Sequence, residues 1–234
     1  MSNKLSVVII SYNEEKFIRD ALLSASFANE IIVLDSLSSD STLEIASECG
    51  AIVSTNAWEG YANQKNKAIS LATNNWVFVL DADERISNEL ALEIKETLKN
   101  PKFDGYFVPR KNNFFGKFIK YGGLYPDYSI RLFKKSHGKF KNTPVHESVS
   151  IEGKISKLKH DIVHLAYQSV EEFSNKQKKY ALLSDKKNSL TRAVLSSLWS
   201  FLKIYFFRLG FLEGWRGIII AYYYAKYSFK KYFK

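Results

Sequence analysis

Trp76-Val77-Phe78-Val79-Leu80 sets five apolar residues in a row directly before Asp81-Ala82-Asp83. A strand with no polar alternation has to be covered on both faces, and a parallel sheet held between helices provides that cover. The flanking sequence supplies the partners. Leu5 to Ile10 is a second apolar, β-branched run, and Asn13-Glu14-Glu15 then offers a cap and an acidic first turn for a helix to about Phe27. Ile31 to Leu34 and Ala51 to Ser54 read as further strands, separated by a helix to Cys49 that Ser41-x-x-Glu44 opens as a capping box. Tyr61 to Ala72 is predicted helical, and Ser87 caps a helix that stops at Asn100-Pro101. The class is therefore α/β, a Rossmann-like doubly wound sheet with flanking helices.

In such sheets ligands sit beyond the carboxyl ends of the strands. The residues there are Ser11-Tyr12-Asn13, Asp35-Ser36, Asn56 and Asp81-Ala82-Asp83, all polar apart from the small Ala82 and the ring of Tyr12. Each alone reads equally well as a cap or turn; together they line one edge and point to a site. Asp81 and Asp83 bring two carboxylates to the mouth of a cleft, where hard oxygen ligands suit Mn2+ or Mg2+. Acids decorating a helix N-terminus are the alternative reading of the same residues.

The texture changes after Pro101. All four prolines and the pair Gly122-Gly123 fall between residues 101 and 144, with strand-like Tyr106 to Val108 and Ile130 to Phe133 among aromatic loops. This stretch reads as a mixed-sheet extension building a second wall of the cleft. Ser169-x-x-Glu172 is another capping box, opening a helix with its apolar residues at helical spacing to about Asn188. The expected division is a domain over 1–165, with a nucleotide half to residue 100 and an acceptor half after it, and a helical region over 166–234.

That last region is unlike the rest. The formal charge of the chain is +10, and from Arg192 to Lys234 eight basic residues stand against Glu213 alone. Trp199 to Phe233 also holds 14 aromatic residues, interleaved with the cations. No uncharged stretch is long enough to span a bilayer, so helices lying in an anionic membrane interface are expected. A core helix pair closing the domain and a nucleic-acid patch are the alternatives; no RNA-binding motif accompanies the charge, and no nucleic acid is expected as partner. The single cysteine, Cys49, excludes an intrachain disulfide framework, and the short apolar run after Lys4 is no signal-peptide core. The expected location is cytoplasmic, peripheral on the inner face of the cytoplasmic membrane.

Ser6 to Glu15 resembles the opening strand and turn of family 2 glycosyltransferases, which have the GT-A fold. Asp35-Ser36-Leu37-Ser38-Ser39-Asp40-Ser41-Thr42 is similar to that family's acidic turn, and Gln64-Lys65-Asn66-Lys67-Ala68 to the element ahead of its Asp-x-Asp strand. The order and spacing of the three agree. Arg131-Leu132-Phe133, Val145-His146-Glu147 and the basic aromatic tail look like the branch that adds glucose to the inner heptose of bacterial lipopolysaccharide.

The resemblance implies an inverting, metal-dependent hexosyltransferase, using UDP-glucose as donor and a lipid-linked lipopolysaccharide or lipooligosaccharide core as acceptor. It places Ser11, Tyr12 and Asn13 at the nucleobase, Asp35 on base or ribose, Lys65 and Asn66 beside the nucleotide, and Asp81 near the ribose. Asp83 falls on the Mn2+ or Mg2+ that bridges the diphosphate, and Glu147 on the catalytic base. His164 is a further candidate for metal or diphosphate, His146 a weaker one, and Arg131 a phosphate or loop-bracing residue. Ser36 stands where the family has a second acid and Leu37 where it has glycine, which removes one carboxylate from base recognition. Transfer onto a lipid phosphate or a protein, or a nucleotide-binding membrane scaffold without turnover, are readings the sequence leaves open.

Overall fold

A computed structural model describes residues 3–141, 148–182, 186 and 188–233. The chain divides into two units, one of residues 1–110 with 128–164 and the other of residues 111–127 with 165–234. The segment 111–127, which the sequence groups with the acceptor half, thus falls in the helical unit.

In the first unit strands and helices alternate as β1 (Leu5–Ser11), α1 (Ile18–Ser24), β2 (Glu30–Asp35), α2 (Thr42–Glu48), β3 (Ile52–Thr55), α3 (Tyr61–Leu71) and β4 (Trp76–Asp81). A short β5 (Glu84–Ile86) follows, then α4 (Asn88–Lys99), β6 (Gly105–Phe114), β7 (Lys117–Phe118) and β8 (Asp127–Lys134). The series continues with β9 (Gly138–Lys141), β10 (Ser148–Ile151), β11 (Ile155–Lys157) and β12 (Ile162–Tyr167). Of these, β7 lies wholly in the second unit, and β6 and β12 run on into it. The main sheet has the order β3-β2-β1-β4-β8-β6-β12-β5. Its first four strands are parallel, and β8 joins β4 antiparallel with Val77 opposite Phe133, so the sheet is mixed.

The apolar run of β4 is covered on both sides, as its composition requires. Trp76, Phe78 and Leu80 face the layer containing Ile18, Leu22, Leu90 and Ile94, while Val77 and Val79, with Phe133 beside them on β8, pack against Ala68, Ile69 and Phe140. Each of these fully buried large side chains contributes about 1.5–3 kcal/mol of transfer free energy. Local signals are used unevenly. Ser87 Oγ accepts the N–H of Leu90 at 3.2 Å and starts α4 as expected. Ser41 makes no side-chain cap bond; Asp40 instead accepts the Thr42 N–H at 3.1 Å together with the Thr42 hydroxyl. Asp40 thus takes a first-turn N–H one residue into the helix, a different donor from the Glu44 N–H that a capping box at Ser41 would use.

The second unit contains α5 (Val170–Leu182), α6 (Leu190–Leu202), a π-turn at Lys203–Phe207, a 3-10 turn at Gly210–Glu213 and α7 (Trp215–Lys230). Ser169 caps α5 as expected, its Oγ accepting the Glu172 N–H at 3.1 Å, while the return bond of Glu172 goes one residue further back, to the Gln168 N–H at 2.9 Å. Phe114, Tyr167, Phe173, Ile204, Ile220 and Ala221 form the core of this unit. Glu213, buried, accepts the backbone N–H groups of Lys120 and Tyr121 at 2.8 and 2.9 Å and pairs with Lys117 at 2.9 Å. The 117–121 loop is thereby tied to the 3-10 turn. Gly217 is required where α7 meets that turn, since a Cβ there would lie 1.8 Å from the Gly210 carbonyl oxygen. No helix among the described residues is long and apolar enough to cross a membrane.

Candidate functional site

At the carboxyl ends of β1 and β2 two turns are stitched together. Ser11 Oγ donates to Asp35 Oδ2 at 2.8 Å; Ser38 donates to Asp35 through its N–H at 2.7 Å and through its hydroxyl at 2.6 Å. Asp35 is fully buried, so its oxygens shape the turn from within. Across the gap, the Asn13 N–H donates to Ser38 Oγ at 2.8 Å and Asn13 Oδ1 accepts the Ser39 N–H at 2.9 Å. Asn13 and Leu37 both take positive φ, 54° and 65°. Asparagine tolerates that region; leucine is strained there, and glycine is the residue such a turn ordinarily uses. Tyr12 is exposed, and Ser36 is buried as acceptor for Gln64 Nε2 at 2.9 Å.

The end of β4 is a charge cluster. Asp81 pairs with Lys65 Nζ at 2.8 Å through one oxygen and with Arg131 Nη2 at 2.9 Å through the other. Burial opposes ionisation of Asp81, yet the two cations overcome it and hold the carboxyl well below the usual carboxylate range. The same Arg131 nitrogen lies 2.6 Å from Oε1 of Glu84, whose Oε2 accepts the Asp81 N–H at 3.1 Å. Glu84 is fully buried, and burial pushes its carboxyl up, opposed by Arg131 and Arg110 and reinforced by Asp81. Arg131 also reaches the Val79 carbonyl at 3.4 Å, so its role is to brace the end of β4.

Two residues on, Asp83 is partly exposed. The antiparallel pairing of β5 with β12 sets His164 opposite Glu84, and its Nε2 lies 3.2 Å from Asp83 Oδ2. Neighbouring ligands of an octahedral ion at about 2.1 Å stand about 3.0 Å apart, so an oxygen and a nitrogen placed this way fit two adjacent positions around one divalent cation. Among the described residues there is no group of three or more His, Cys, Asp or Glu able to hold a metal. An ion here would take its remaining ligands from water or substrate oxygens. Glu14 lies within electrostatic reach: burial first, then Asp83, Asp40 and Asp81, push its carboxyl up to about 7.

The remaining expected residues are placed differently. Asn66 is engaged with main chain, donating to the Phe140 carbonyl and accepting the Phe140 N–H, each at 2.9 Å. Glu147 and His146 lie outside the described residues. Glu84 and Glu14 were not singled out from the sequence. Glu84 carries one usable signal, an acid in the third position after an apolar strand that already ends in Asp81; Glu14 reads only as an acid of a first helical turn.

Residues 6–149 match the sequence model of glycosyl transferase family 2. An uncharacterized glycosyltransferase of Rickettsia conorii is 32% identical over 247 residues, covering 94% of this chain and 85% of its own. The lipopolysaccharide core biosynthesis glycosyltransferase LpsC of Rhizobium meliloti is 26% identical over 240 residues, covering 93% and 89%. Among solved structures, the S. aureus TarS 1-349 fragment in complex with UDP-GlcNAc superposes with a TM-score of 0.53 at 18% identity, over 93% of this chain and 79% of that one. The chain belongs to glycosyl transferase family 2, and its fold is of the GT-A type.

Proposed function

We propose that this glycosyltransferase moves a hexose, glucose from UDP-glucose, onto a lipopolysaccharide or lipooligosaccharide core acceptor at the inner face of the cytoplasmic membrane, with inversion at the anomeric carbon. The observation that carries the reading is the pair of Asp83 and His164 beside an Asp81 whose charge Lys65 and Arg131 already match. Asp83 is thus the carboxylate left to meet a cation. The lipopolysaccharide core role in the name of LpsC supports the acceptor class, and the UDP-GlcNAc bound to the TarS fragment supports a UDP-sugar donor.

In this mechanism the exposed ring of Tyr12 and the turn carrying Ser11, Asn13 and Asp35 receive the nucleobase, while Lys65 lies beside the nucleotide, Asp81 near the ribose, and Asn66 acts through the Phe140 main chain it holds. Asp83 and His164 would hold Mn2+ or Mg2+, which would supply positive charge to offset the negative charge of a departing diphosphate. Glu147, proposed from the family resemblance, takes the proton of the acceptor hydroxyl as its oxygen bonds the anomeric carbon and the bond to UDP breaks.

The test uses purified full-length protein, UDP-glucose and a core oligosaccharide acceptor, reading donor binding and transfer with and without Mn2+. Asp83→Asn is expected to abolish transfer and the Mn2+-dependent part of donor binding at an unchanged thermal midpoint; retained Mn2+ dependence rejects the metal assignment. Glu147→Gln is expected to bind donor normally and to lower transfer by about two to four orders of magnitude. Near-parental transfer removes Glu147 from the mechanism.

A further inference from the structure

Helix α6 wears its apolar residues on the outside. Ala193 is buried, while Leu195, Leu198 and Trp199 are 61%, 56% and 56% exposed. The stripe continues beyond the helix into Phe206, Phe207 and Phe211, of which Phe207 is 71% exposed. The rings touch one another: Trp199 and Phe207 have centroids 5.6 Å apart, and Tyr205 links Phe206 at 5.1 Å to Phe211 at 6.3 Å. A contiguous exposed apolar surface of this kind marks an interaction site, because water alone disfavours it.

The charges identify the occupant. Arg192, Lys203 and Arg208 are exposed within the same stretch, Lys203 standing four residues after Trp199 and four before Phe207. Between residues 189 and 218 the sole acid is Glu213, which is buried and paired with Lys117. The whole unit carries 16 Lys and Arg against five Asp and Glu, whereas the other unit carries 18 against 19. A second copy of the chain would set like charge against like charge. An anionic bilayer instead receives rings and leucines at headgroup depth and the cations at its phosphates.

We propose that the outer face of α6 and the 203–211 turn form an in-plane membrane anchor that enters the headgroup layer of an anionic bilayer. This extends the proposed reaction on a lipid-linked acceptor, and rests on that reading for its purpose. It differs from an anchor made by the lysines at the end of α7, where Lys226 is half-buried over Tyr222 and Tyr223 at 5.8 Å from each ring.

The test is cosedimentation of the full chain with vesicles of phosphatidylcholine alone or with one third phosphatidylglycerol, alongside UDP release from UDP-glucose in solution. The parent is expected to bind the anionic vesicles at least about tenfold more tightly than the neutral ones. The triple variant W199S/F206S/F207S, altered only at exposed positions, is expected to lose about tenfold or more of that binding with UDP release and thermal midpoint unchanged. K226Q/K230Q/K231Q is expected to lose less. On the unmodified protein, vesicles of brominated lipid are expected to quench tryptophan emission, and Trp199→Phe to reduce that quenching, so the anchor is tested even if the triple variant misfolds. Parental binding by the triple variant, greater loss in the lysine variant, absent quenching, or self-association through this face overturns the anchor. Absent UDP release with intact vesicle binding overturns the proposed reaction and leaves the anchor standing.

Discussion

Arg131 and Glu84 form an ion pair with almost no access to solvent: Nη2 lies 2.6 Å from Oε1, with Arg131 5% exposed and Glu84 fully buried. The pair sits under the strand end that presents Asp81 and Asp83, so it fixes the position of both carboxylates without touching solvent itself.

Removing Arg131 leaves the buried Glu84 with Arg110 at 3.4 Å in place of a partner at 2.6 Å, so its charge is poorly compensated. Arg131→Met is expected to destabilise the protein by about 3–5 kcal/mol, more than the loss of any surface pair. Adding Glu84→Gln to that variant is expected to recover part of the loss, since the stranded charge is gone. Urea denaturation of both variants checks this, and a loss under about 1 kcal/mol for Arg131→Met shows the pair to be dispensable.

Glu14 predicts a pH dependence of stability. Its folded value of about 7 stands above the ordinary 4.5 of an unfolded glutamate, so between these values the folded chain retains a proton that the unfolded chain has released. Stability from this group therefore falls as pH rises through that window and is level above it. Glu14→Gln is expected to flatten the window and to stabilise the protein at pH 8 by about 2 kcal/mol, after allowing for screening of a partly exposed group. Below pH 4 the two proteins are expected to match. Thermal midpoints across pH 4 to 8 measure it, and parallel profiles for parent and variant sink the assignment.

Leu37 holds a backbone conformation that costs a leucine about 1–2 kcal/mol, and its side chain, 60% exposed, returns little by burial. Leu37→Gly relieves the strain and gives back part of the gain as unfolded-state entropy. A net stabilisation of up to about 1 kcal/mol is expected by chemical denaturation; a clear loss means the side chain makes contacts that outweigh the strain.

The order of strands and helices through residue 100 was legible because it depends on runs and caps, which are local. β4 could be read from Trp76 to Leu80 with no knowledge of what covers it. β5 could not, since three residues led by a glutamate do not look like strand. Glu84 is tolerable because Arg110 on β6 and Arg131, 47 residues later on β8, both reach it. Asp83 is visible from its spacing to Asp81, and His164 from the apolar Ile162-Val163 that it follows. Their approach to 3.2 Å is a property of the pairing of β5 with β12, which no local pattern encodes. The elevated carboxyl of Glu14 likewise depends on its burial in the fold and on Asp83, Asp40 and Asp81 converging from two other segments.

The bonds that join Asn13 to Ser38 and Ser39, and Ser11 to Asp35, tie the turns after β1 and β2 to one another. A cleft floor built this way has little backbone freedom left to surrender on association, so its cost of ordering was met during folding. On the proposed nucleotide-binding reading, selectivity at that floor would then work by rejection. A base whose edge does not suit the donors and acceptors so fixed would find no adjustable loop to accommodate it, and would leave polar atoms unsatisfied.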